Sequence, residues 1–198
     1  MSHSRNWKSL LFVCLLVAAC ATPAALAGAS LDIRPSICPN LINRDTRAVL
    51  PVALVGDVDF VVSHVVPASL ELSRADGVGG SARPQSRRGK RTVRPSAGLP
   101  ARLALRLVDI AAPRVSGMCS TLGADGIRDL RILFRQSDVV TQLELGALPL
   151  NATVELCLSG QSDDGTPFSA CDHVSVTGLT VLTSPELDDI DTLSPGRR

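Results

Sequence analysis

Residues 129–134 read Asp-Leu-Arg-Ile-Leu-Phe, and this short stretch decides the fold class. An extended backbone places every second side chain on the same side, so Leu130, Ile132 and Phe134 would share one face. A period of two residues is typical of a β-strand with one buried face. The same alternation occurs at 102–107, where leucines alternate with arginine or alanine. Both segments predict strands that pack one side against a core.

Short stretches of this kind recur along the chain, rich in Val, Leu and Ile and separated by Gly, Pro, Asp or Asn. Such spacing is typical of strands joined by tight turns. The strands that we predict are 31–34, 48–55, 59–62, 69–73, 101–109, 129–134, 140–145, 153–159 and 173–182. No longer window keeps an apolar period of 3.6 residues, and the spacing of proline rules out long helices. We therefore predict an all-β fold, an antiparallel β-sandwich of about eight or nine strands or a closely related barrel.

Composition narrows the range of functions. The chain has 198 residues and a formal net charge of +1, which favours neither nucleic acid nor a membrane surface as a partner. Only 3% of its residues are aromatic, and outside the leader described next these are Phe60, Phe134 and Phe168. Single-stranded nucleic acids and flat sugar-binding surfaces need exposed rings for stacking, so we predict no nucleic-acid partner.

Residues 1–27 have the three parts of an export signal. Arg5 and Lys8 form a basic start, 10–19 is an apolar run, and the small residues at 25–27 fit a leader-peptidase site. The apolar run is too short to span a bilayer, because a spanning helix needs roughly 20 apolar residues. We therefore predict a signal peptide and no transmembrane segment.

The sequence allows two ways of cleaving this leader. A third possibility is that the leader is not cleaved and forms a buried apolar helix of the mature fold. Cleavage after Ala27 would give a secreted, periplasmic or cell-surface protein that begins at Gly28. The four residues that end at Cys20 read Val-Ala-Ala-Cys and resemble a bacterial lipoprotein box, in which Cys20 would carry the lipid. We predict a single β-sandwich domain at 28–184 and a disordered tail at 185–198.

The mature chain keeps four cysteines, Cys38, Cys119, Cys157 and Cys171. An even number of cysteines in an exported chain predicts disulfide bonds, and four cysteines allow three pairings. The turn-forming stretch at 162–167 can bring its flanking strands together, so we pair Cys157 with Cys171. Cys38 with Cys119 follows by elimination. A zinc site is disfavoured because no Cys-x-x-Cys pair occurs.

A basic segment interrupts the strand pattern at 76–98. It is rich in Gly, Ser, Pro and Arg and has no acidic residue after its first position, so we predict a mobile basic loop. Its candidate anion-binding residues are Arg87, Arg88, Lys90 and Arg91. They could bind an anionic polysaccharide, a surface lipid or nucleic acid, and the alternative is a solvated loop without a ligand. Segment 136–196 has acidic residues but no Lys or Arg, so the chain is dipolar.

The mature chain opens at 31–43 with Leu-Asp-Ile-Arg-Pro-Ser-Ile-Cys-Pro-Asn-Leu-Ile-Asn. This resembles a secreted bacterial and archaeal accessory module that begins with an Ile-Asp-Ile-Lys-Pro-Gly-Ser type motif. Blocks that resemble later parts of the module follow in the same order at 49–56, 108–113, 119–130 and 158–160 with 164–168. The resemblance implies a secreted β-rich domain with an accessory or interaction role at the cell exterior and no catalytic residues. Related sequences with the first cysteine tend to have one before the Asp-Gly turn too, which matches Cys38 and Cys119.

The resemblance also implies a candidate calcium-binding loop. Related sequences have an oxygen-rich loop where this chain reads Asp-Gly-Ile-Arg-Asp from Asp125 onward. Asp125 and Asp129 match that loop, whereas Thr121 and Gly123 stand where further oxygen ligands are expected. Calcium takes six to eight oxygen ligands. Asp125 and Asp129 are therefore a candidate calcium site in which only two side chains supply ligands. The alternative is a tight turn, with a positive φ at Gly126 and Asp125 as its cap. We predict no other cofactor.

Motifs of the common enzyme classes are absent from the sequence, including Gly-x-Ser-x-Gly, His-Glu-x-x-His and the P-loop. Two enzyme hypotheses remain. Asp163 or Asp164 could form a carboxylate pair with Asp172 for glycoside hydrolysis, or His173 could act as a base oriented by Asp172 or Asp164. His64 lies among valines, and we predict a strand or edge position for it.

We therefore predict a non-catalytic exported accessory or interaction module, with an unknown extracellular protein or polysaccharide as its partner. The first alternative is a protein that binds anionic glycans or envelope components through the basic loop. The least favoured alternative is an exported hydrolase. The sequence carries no pattern that indicates an oligomeric state.

Overall fold

The computed structural model describes residues 29–86, 105–113 and 119–179. Their strands are β1 (Ser30–Ile33), β2 (Leu41–Asn43), β3 (Val49–Val55), β4 (Glu71–Arg74), β5 (Ser81–Ala82), β6 (Leu105–Val108), β7 (Asp129–Arg135), β8 (Thr153–Gln161) and β9 (Pro167–Thr177). Within these residues one α-helix, α1, spans Gln136–Gln142, and 3₁₀ helices span Val62–His64, Pro67–Ser69 and Leu145–Ala147. The predicted all-β class is confirmed. None of the helices in this part of the chain has the length and apolar character needed to cross a membrane.

The strands form two sheets. The four-stranded sheet has the order β1-β3-β7-β6, and the five-stranded sheet has the order β2-β9-β8-β4-β5. Neighbouring strands are antiparallel except β2 and β9, which pair in parallel from Leu41 opposite Ser175 to Asn43 opposite Thr177. The prediction of an entirely antiparallel arrangement was wrong at this edge. Parallel neighbours need a long connection, and the chain between β2 and β9 runs through most of the domain.

One apolar core is shared by the two sheets. β7 of the four-stranded sheet contributes Leu130, Ile132 and Phe134 to it, as the period of two residues predicts. β8 of the five-stranded sheet contributes Leu156 and Leu158 to the same cluster. A core enclosed between two sheets is the arrangement that a β-sandwich requires. Burial of these side chains is the main stabilising contribution to such a fold.

Two predicted strands are helical or irregular instead. The stretch 140–145 runs through the end of α1 into the 3₁₀ helix that follows it. Val139 and Leu143 are both buried and lie four residues apart, so this segment buries a helical stripe rather than alternate residues. The stretch 59–62 leads into the 3₁₀ helix that contains His64, so the strand position predicted for His64 was wrong. The short strands β2 and β5 were not predicted.

The first part of the predicted basic loop, 76–86, is built into the fold. It contains β5, which pairs with β4 at the edge of the five-stranded sheet. The N–H of Gln85 then donates to the carbonyl oxygen of Leu133 in β7 at 2.7 Å, so the segment crosses to the four-stranded sheet. The rest of that loop, the export leader and the C-terminal tail lie outside the described residues.

The outer faces of the two sheets present different charged side chains. Arg106 of β6 and Arg131 and Arg135 of β7 alternate with core residues, so they lie on the outer face of the four-stranded sheet. Glu71 of β4 and Glu155 of β8 occupy outward positions on the five-stranded sheet for the same reason. Glu71 is ion-paired with Arg83, and the buried carboxylates of Asp32 and Asp129 lie on the arginine side. The two faces therefore differ in their exposed charged residues and are not purely of one sign.

Candidate functional site

Both predicted disulfide bonds are present, Cys38 with Cys119 and Cys157 with Cys171. Cys157 and Cys171 lie directly opposite each other in β8 and β9, with Cα atoms 4.0 Å apart. The Cys38–Cys119 bond joins segments 81 residues apart in the chain, with a Cα separation of 5.5 Å. It fastens the opening motif to the loop that precedes β7, so it links the two blocks on which the family resemblance mainly depends.

The opening motif forms a tight turn directly after β1. The N–H of Ile37 donates to the carbonyl oxygen of Arg34 at 3.1 Å, with Pro35 and Ser36 between them. Ser36 has a φ of 69°. A type II turn requires a positive φ at its second central residue, and glycine adopts it most easily. The Ile-Asp-Ile-Lys-Pro-Gly-Ser type motif has glycine at this position, so Ser36 occupies a position that suits glycine better.

Carboxylates organise the connection between β6 and β7. Gly126 has a φ of 96°, and Oδ1 of Asp125 accepts a hydrogen bond from the N–H of Ile127 at 2.9 Å. The tight-turn interpretation of this segment is therefore confirmed. Asp109 accepts hydrogen bonds from the backbone N–H groups of Asp125 and Gly126, at 3.0 and 2.9 Å. Asp109 was not predicted from the sequence, because its partners lie 16 and 17 residues further along the chain.

Asp129 is fully buried at the start of β7. Its carboxylate accepts hydrogen bonds from the backbone N–H groups of Gly56, Ile110 and Ala111, at 3.1, 2.8 and 2.9 Å. Burial raises the pKa of Asp129 above its ordinary value, and the three hydrogen bonds oppose that rise. Both carboxylate oxygens are thus used to hold β3 and the chain after β6 against β7.

This geometry does not fit the calcium ion considered for Asp125 and Asp129. Calcium needs six to eight oxygen atoms turned toward it, and both of these carboxylates are engaged with backbone N–H groups. Within 29–86, 105–113 and 119–179, no three His, Cys, Asp or Glu side chains are grouped so that they could hold a metal ion. The carboxylates instead hold the β6–β7 connection in place.

The acidic residues considered for catalysis are dispersed. Asp163 and Asp164 are exposed in the turn between β8 and β9. The N–H of Thr166 donates to Asp164 at 2.9 Å, and this bond lowers the pKa of Asp164 below its ordinary value. Asp172 lies deeper in β9, about 17 Å beyond Pro167 at a strand rise of about 3.3 Å per residue. The carboxylate pair that glycoside hydrolysis would need is therefore not formed.

Asp172 points into the core and His173 points away from it, because neighbours on a strand alternate. Oδ2 of Asp172 accepts hydrogen bonds from the N–H of Ile33 and from Nδ2 of Asn40, both at 2.8 Å. Its Oδ1 accepts from the backbone N–H of His173 at 2.7 Å rather than from the imidazole. Asp172 is therefore a structural acceptor that does not orient His173 as a base.

An open pocket of about 510 Å³ lies between α1 and the segment that contains β5. Its polar lining includes Arg83, Gln85, Arg135, Asp138 and Gln142. Arg83 forms an ion pair with Glu71, and Nε of Arg135 lies 4.0 Å from Asp138. Arginine matches carboxylate, sulfate and phosphate groups with paired hydrogen bonds, and here both guanidinium groups already face carboxylates of the chain. An anionic ligand at this opening would have to compete with Glu71 and Asp138.

The pocket adjoins the basic loop in sequence. Ser86 lines the pocket, and the candidate anion-binding residues follow it in the chain. These are Arg87, Arg88, Lys90 and Arg91, which lie outside the described residues. Arg135 was not predicted as a site residue, because the pocket depends on α1 and a strand was predicted in place of the second half of this helix.

No protein-family model, curated protein or solved structure matches the chain. The resemblance to the secreted accessory module therefore rests on the ordered sequence blocks alone, chiefly on 31–43. The function has to be inferred from the geometry of the described residues and from the export features of the sequence.

Proposed function

We propose that the protein is a non-catalytic exported module of the cell exterior that acts by binding an extracellular protein or polysaccharide. The pair of disulfide bonds is the observation that carries this proposal, because such bonds form and persist mainly in oxidising compartments. The leader at 1–27 and the resemblance at 31–43 point to the same compartment.

The placement of the ionisable residues supports a binding role over a catalytic one. Asp129 and Asp172 are buried acceptors of backbone N–H groups. Asp163 and Asp164 lie at a hairpin turn, separated from Asp172 along β9. An acid and a base that act on one substrate must lie within hydrogen-bond reach of the same atoms, and these groups do not.

Export is tested by expressing the full chain with its leader in a bacterium that has an oxidising periplasm. We expect the protein in the periplasm or medium, with Gly28 as its first residue and both disulfide bonds found by non-reducing peptide mapping. A diacylglycerol on Cys20 would indicate the lipoprotein form. A matched chain without 1–27 is the control and should stay in the cytoplasm. Retention of the full chain in the cytoplasm with its leader intact would contradict the proposal.

A second candidate function is the binding of anionic glycans or envelope components through the basic loop. The pocket with Arg83 and Arg135 favours it, because this pocket lies where the basic segment begins. The test is elution from an immobilised polyanion with increasing salt. A variant with Gln at 87, 88, 90 and 91 should elute at clearly lower salt than the wild type. Unchanged elution would exclude the basic loop as the binding element.

A further inference from the structure

Two arginine residues lie directly opposite each other on the outer face of the four-stranded sheet. Arg106 of β6 and Arg131 of β7 are register partners. The residues next to them, Leu105 and Leu130, belong to the core, so both arginines face outward. Arg106 is exposed and Arg131 is half-buried. Side chains at opposed positions of antiparallel strands have Cβ atoms about 4.5–5.5 Å apart, so the two guanidinium groups can reach one common atom group.

The described residues do not neutralise this pair. Among the described residues, neither guanidinium has a hydrogen-bond or ion-pair partner. Two carboxylates share this side of the sheet, that of Asp129 two residues before Arg131 on β7 and that of Asp32 beyond Ala53 on the second strand away. Both are buried and have interactions of their own. Like charges at directly opposed positions destabilise a sheet. The opposed arginines are therefore a local repulsion that no described ion pair offsets.

A third arginine extends this arrangement along β7. Arg135 lies on the same face as Arg131, about 13 Å along the strand. Opposed guanidinium groups can together bind one carboxylate or sulfate. Arg135 has its Nε 4.0 Å from Asp138, and because both side chains are exposed it can exchange this loose ion pair for a second acidic group at that spacing. A polymer with repeated acidic groups matches such a row, whereas a single small anion reaches only the pair.

We infer that Arg106 and Arg131 form the central contact of a binding site for an acidic polysaccharide, with Arg135 as its second contact. This deepens the proposed binding role and depends on it. Among the described residues Phe60, Phe134 and Phe168 are all buried, so no ring is offered for stacking on nucleic-acid bases. Acidic sugars need no stacking, because their carboxylate and sulfate groups bind directly to the arginine side chains.

The test uses the purified full chain with both disulfide bonds formed, titrated with heparin and polygalacturonate in a calorimeter, with neutral dextran as the uncharged reference. We expect Arg106→Gln with Arg131→Gln to weaken binding of an acidic polysaccharide at least tenfold. The matched control is Arg47→Gln with Arg128→Gln, which removes the same charge from two exposed loop positions and should stay within about twofold of wild type.

A second measurement separates binding from folding. Removal of a repulsion should leave the urea midpoint unchanged or raise it, so loss of binding in a fully folded variant supports the site. The variant Arg106→Lys with Arg131→Lys keeps the charge and loses the paired hydrogen bonds, and it should bind between wild type and the Gln variant.

Four outcomes would overturn the inference. They are equal losses in the Gln variant and its loop control, unchanged binding in the Gln variant, a lowered urea midpoint, and binding only to duplex DNA or to vesicles with anionic lipid. Because these measurements use purified protein, they are independent of whether the chain is exported, and failure of the export proposal would be seen separately.

Discussion

The backbone N–H of Ile33 donates a hydrogen bond to the carboxylate of Asp172 at 2.8 Å, across 139 residues of sequence. Ile33 ends β1, an edge strand of the four-stranded sheet, and Asp172 points inward from β9 of the other sheet. A buried edge strand would otherwise leave its outer N–H group unsatisfied. The carboxylate therefore supplies the acceptor that a neighbouring strand would have provided.

Replacement of this carboxylate should destabilise the fold. In Asp172→Asn, one oxygen is left to accept hydrogen bonds from the N–H groups of Ile33 and His173 and from Asn40. A buried donor without an acceptor costs about 1–3 kcal/mol, so we expect a loss of that size in the free energy of unfolding. Urea denaturation measures it. The exposed Asp163→Asn is the control, with an expected change below about 0.5 kcal/mol. Equal effects of the two substitutions would contradict the role of Asp172.

In the opening turn we expect a substitution to stabilise the fold, because Ser36 has a positive φ. Ser36→Gly removes the steric cost of a left-handed conformation, about 1–2 kcal/mol. Glycine also loses more conformational entropy on folding than serine, and this loss offsets part of the gain. We expect a net gain of about 0.5–1 kcal/mol in stability, seen as a higher thermal midpoint. Ser169→Gly is the control at an exposed position within β9, where glycine should destabilise by about 0.5–1 kcal/mol. A loss of stability in Ser36→Gly would show that the side chain makes a contact of its own.

The two disulfide bonds should differ in their contribution to stability. In the chain-entropy model the stabilisation grows with the loop that a bond closes, and the two separations are 81 and 14 residues. The expected difference is about 1.5 kcal/mol. We therefore expect Cys38→Ser with Cys119→Ser to lower the urea midpoint more than Cys157→Ser with Cys171→Ser. The reverse order would mean that the opposed position of Cys157 and Cys171 within one sheet matters more than loop length.

Acid should weaken one specific interaction at the start of 76–86. The hydrogen bond from Arg74 lowers the pKa of Asp76 below its ordinary value of 3.8, and the backbone N–H of Val78 lowers it further. The folded chain then binds fewer protons than the unfolded chain between the two pKa values. The stability from this pair is therefore present above pH 3.8 and is lost as the pH falls through the folded-state value. The difference in urea midpoint between wild type and Asp76→Asn should shrink over that range. A constant difference from neutral pH to pH 2 would contradict this assignment.

Asp129 should be sensitive to loss of a single oxygen. An asparagine can offer one carbonyl oxygen to the three N–H groups that the carboxylate now binds, and its NH₂ group would face at least one of them. We expect Asp129→Asn to lower the unfolding free energy by about 2–3 kcal/mol. Asp125 caps a single exposed turn, so Asp125→Asn should lower the unfolding free energy by less than about 1 kcal/mol. Similar losses at both positions would argue against the buried network at Asp129.

Much of the fold follows from local sequence pattern. The strands β3, β7 and β8 were predicted because their apolar residues recur at every second position or in short uninterrupted runs. The segment 140–145 was misassigned as a strand, although Val139 and Leu143 have helical spacing, because the β-branched residues there also suit a strand. β2 was missed because three residues give no measurable period, and its parallel pairing with β9 depends on the path of the whole chain.

The site was less predictable, for a physical reason. The roles of Asp109, Asp129 and Asp172 depend on backbone N–H groups that come close only after folding. The arginine row depends on register, because Arg106 and Arg131 become neighbours only once β6 pairs with β7. The disulfide pairs were accessible from sequence, because a turn-forming stretch places Cys157 beside Cys171 and leaves one remaining pair.

On the four-stranded sheet, two arginines without an ion-pair partner among the described residues give the molecule a preferred direction of approach to an anionic surface. Near any anionic surface, the field exerts a torque that turns Arg106 and Arg131 toward that surface once the gap falls to about 10 Å, the screening distance at 0.1 M salt. The sheet that carries Glu71 and Glu155 is then left facing the medium. Adhesion through one face would thus display the other to a second partner in a fixed orientation.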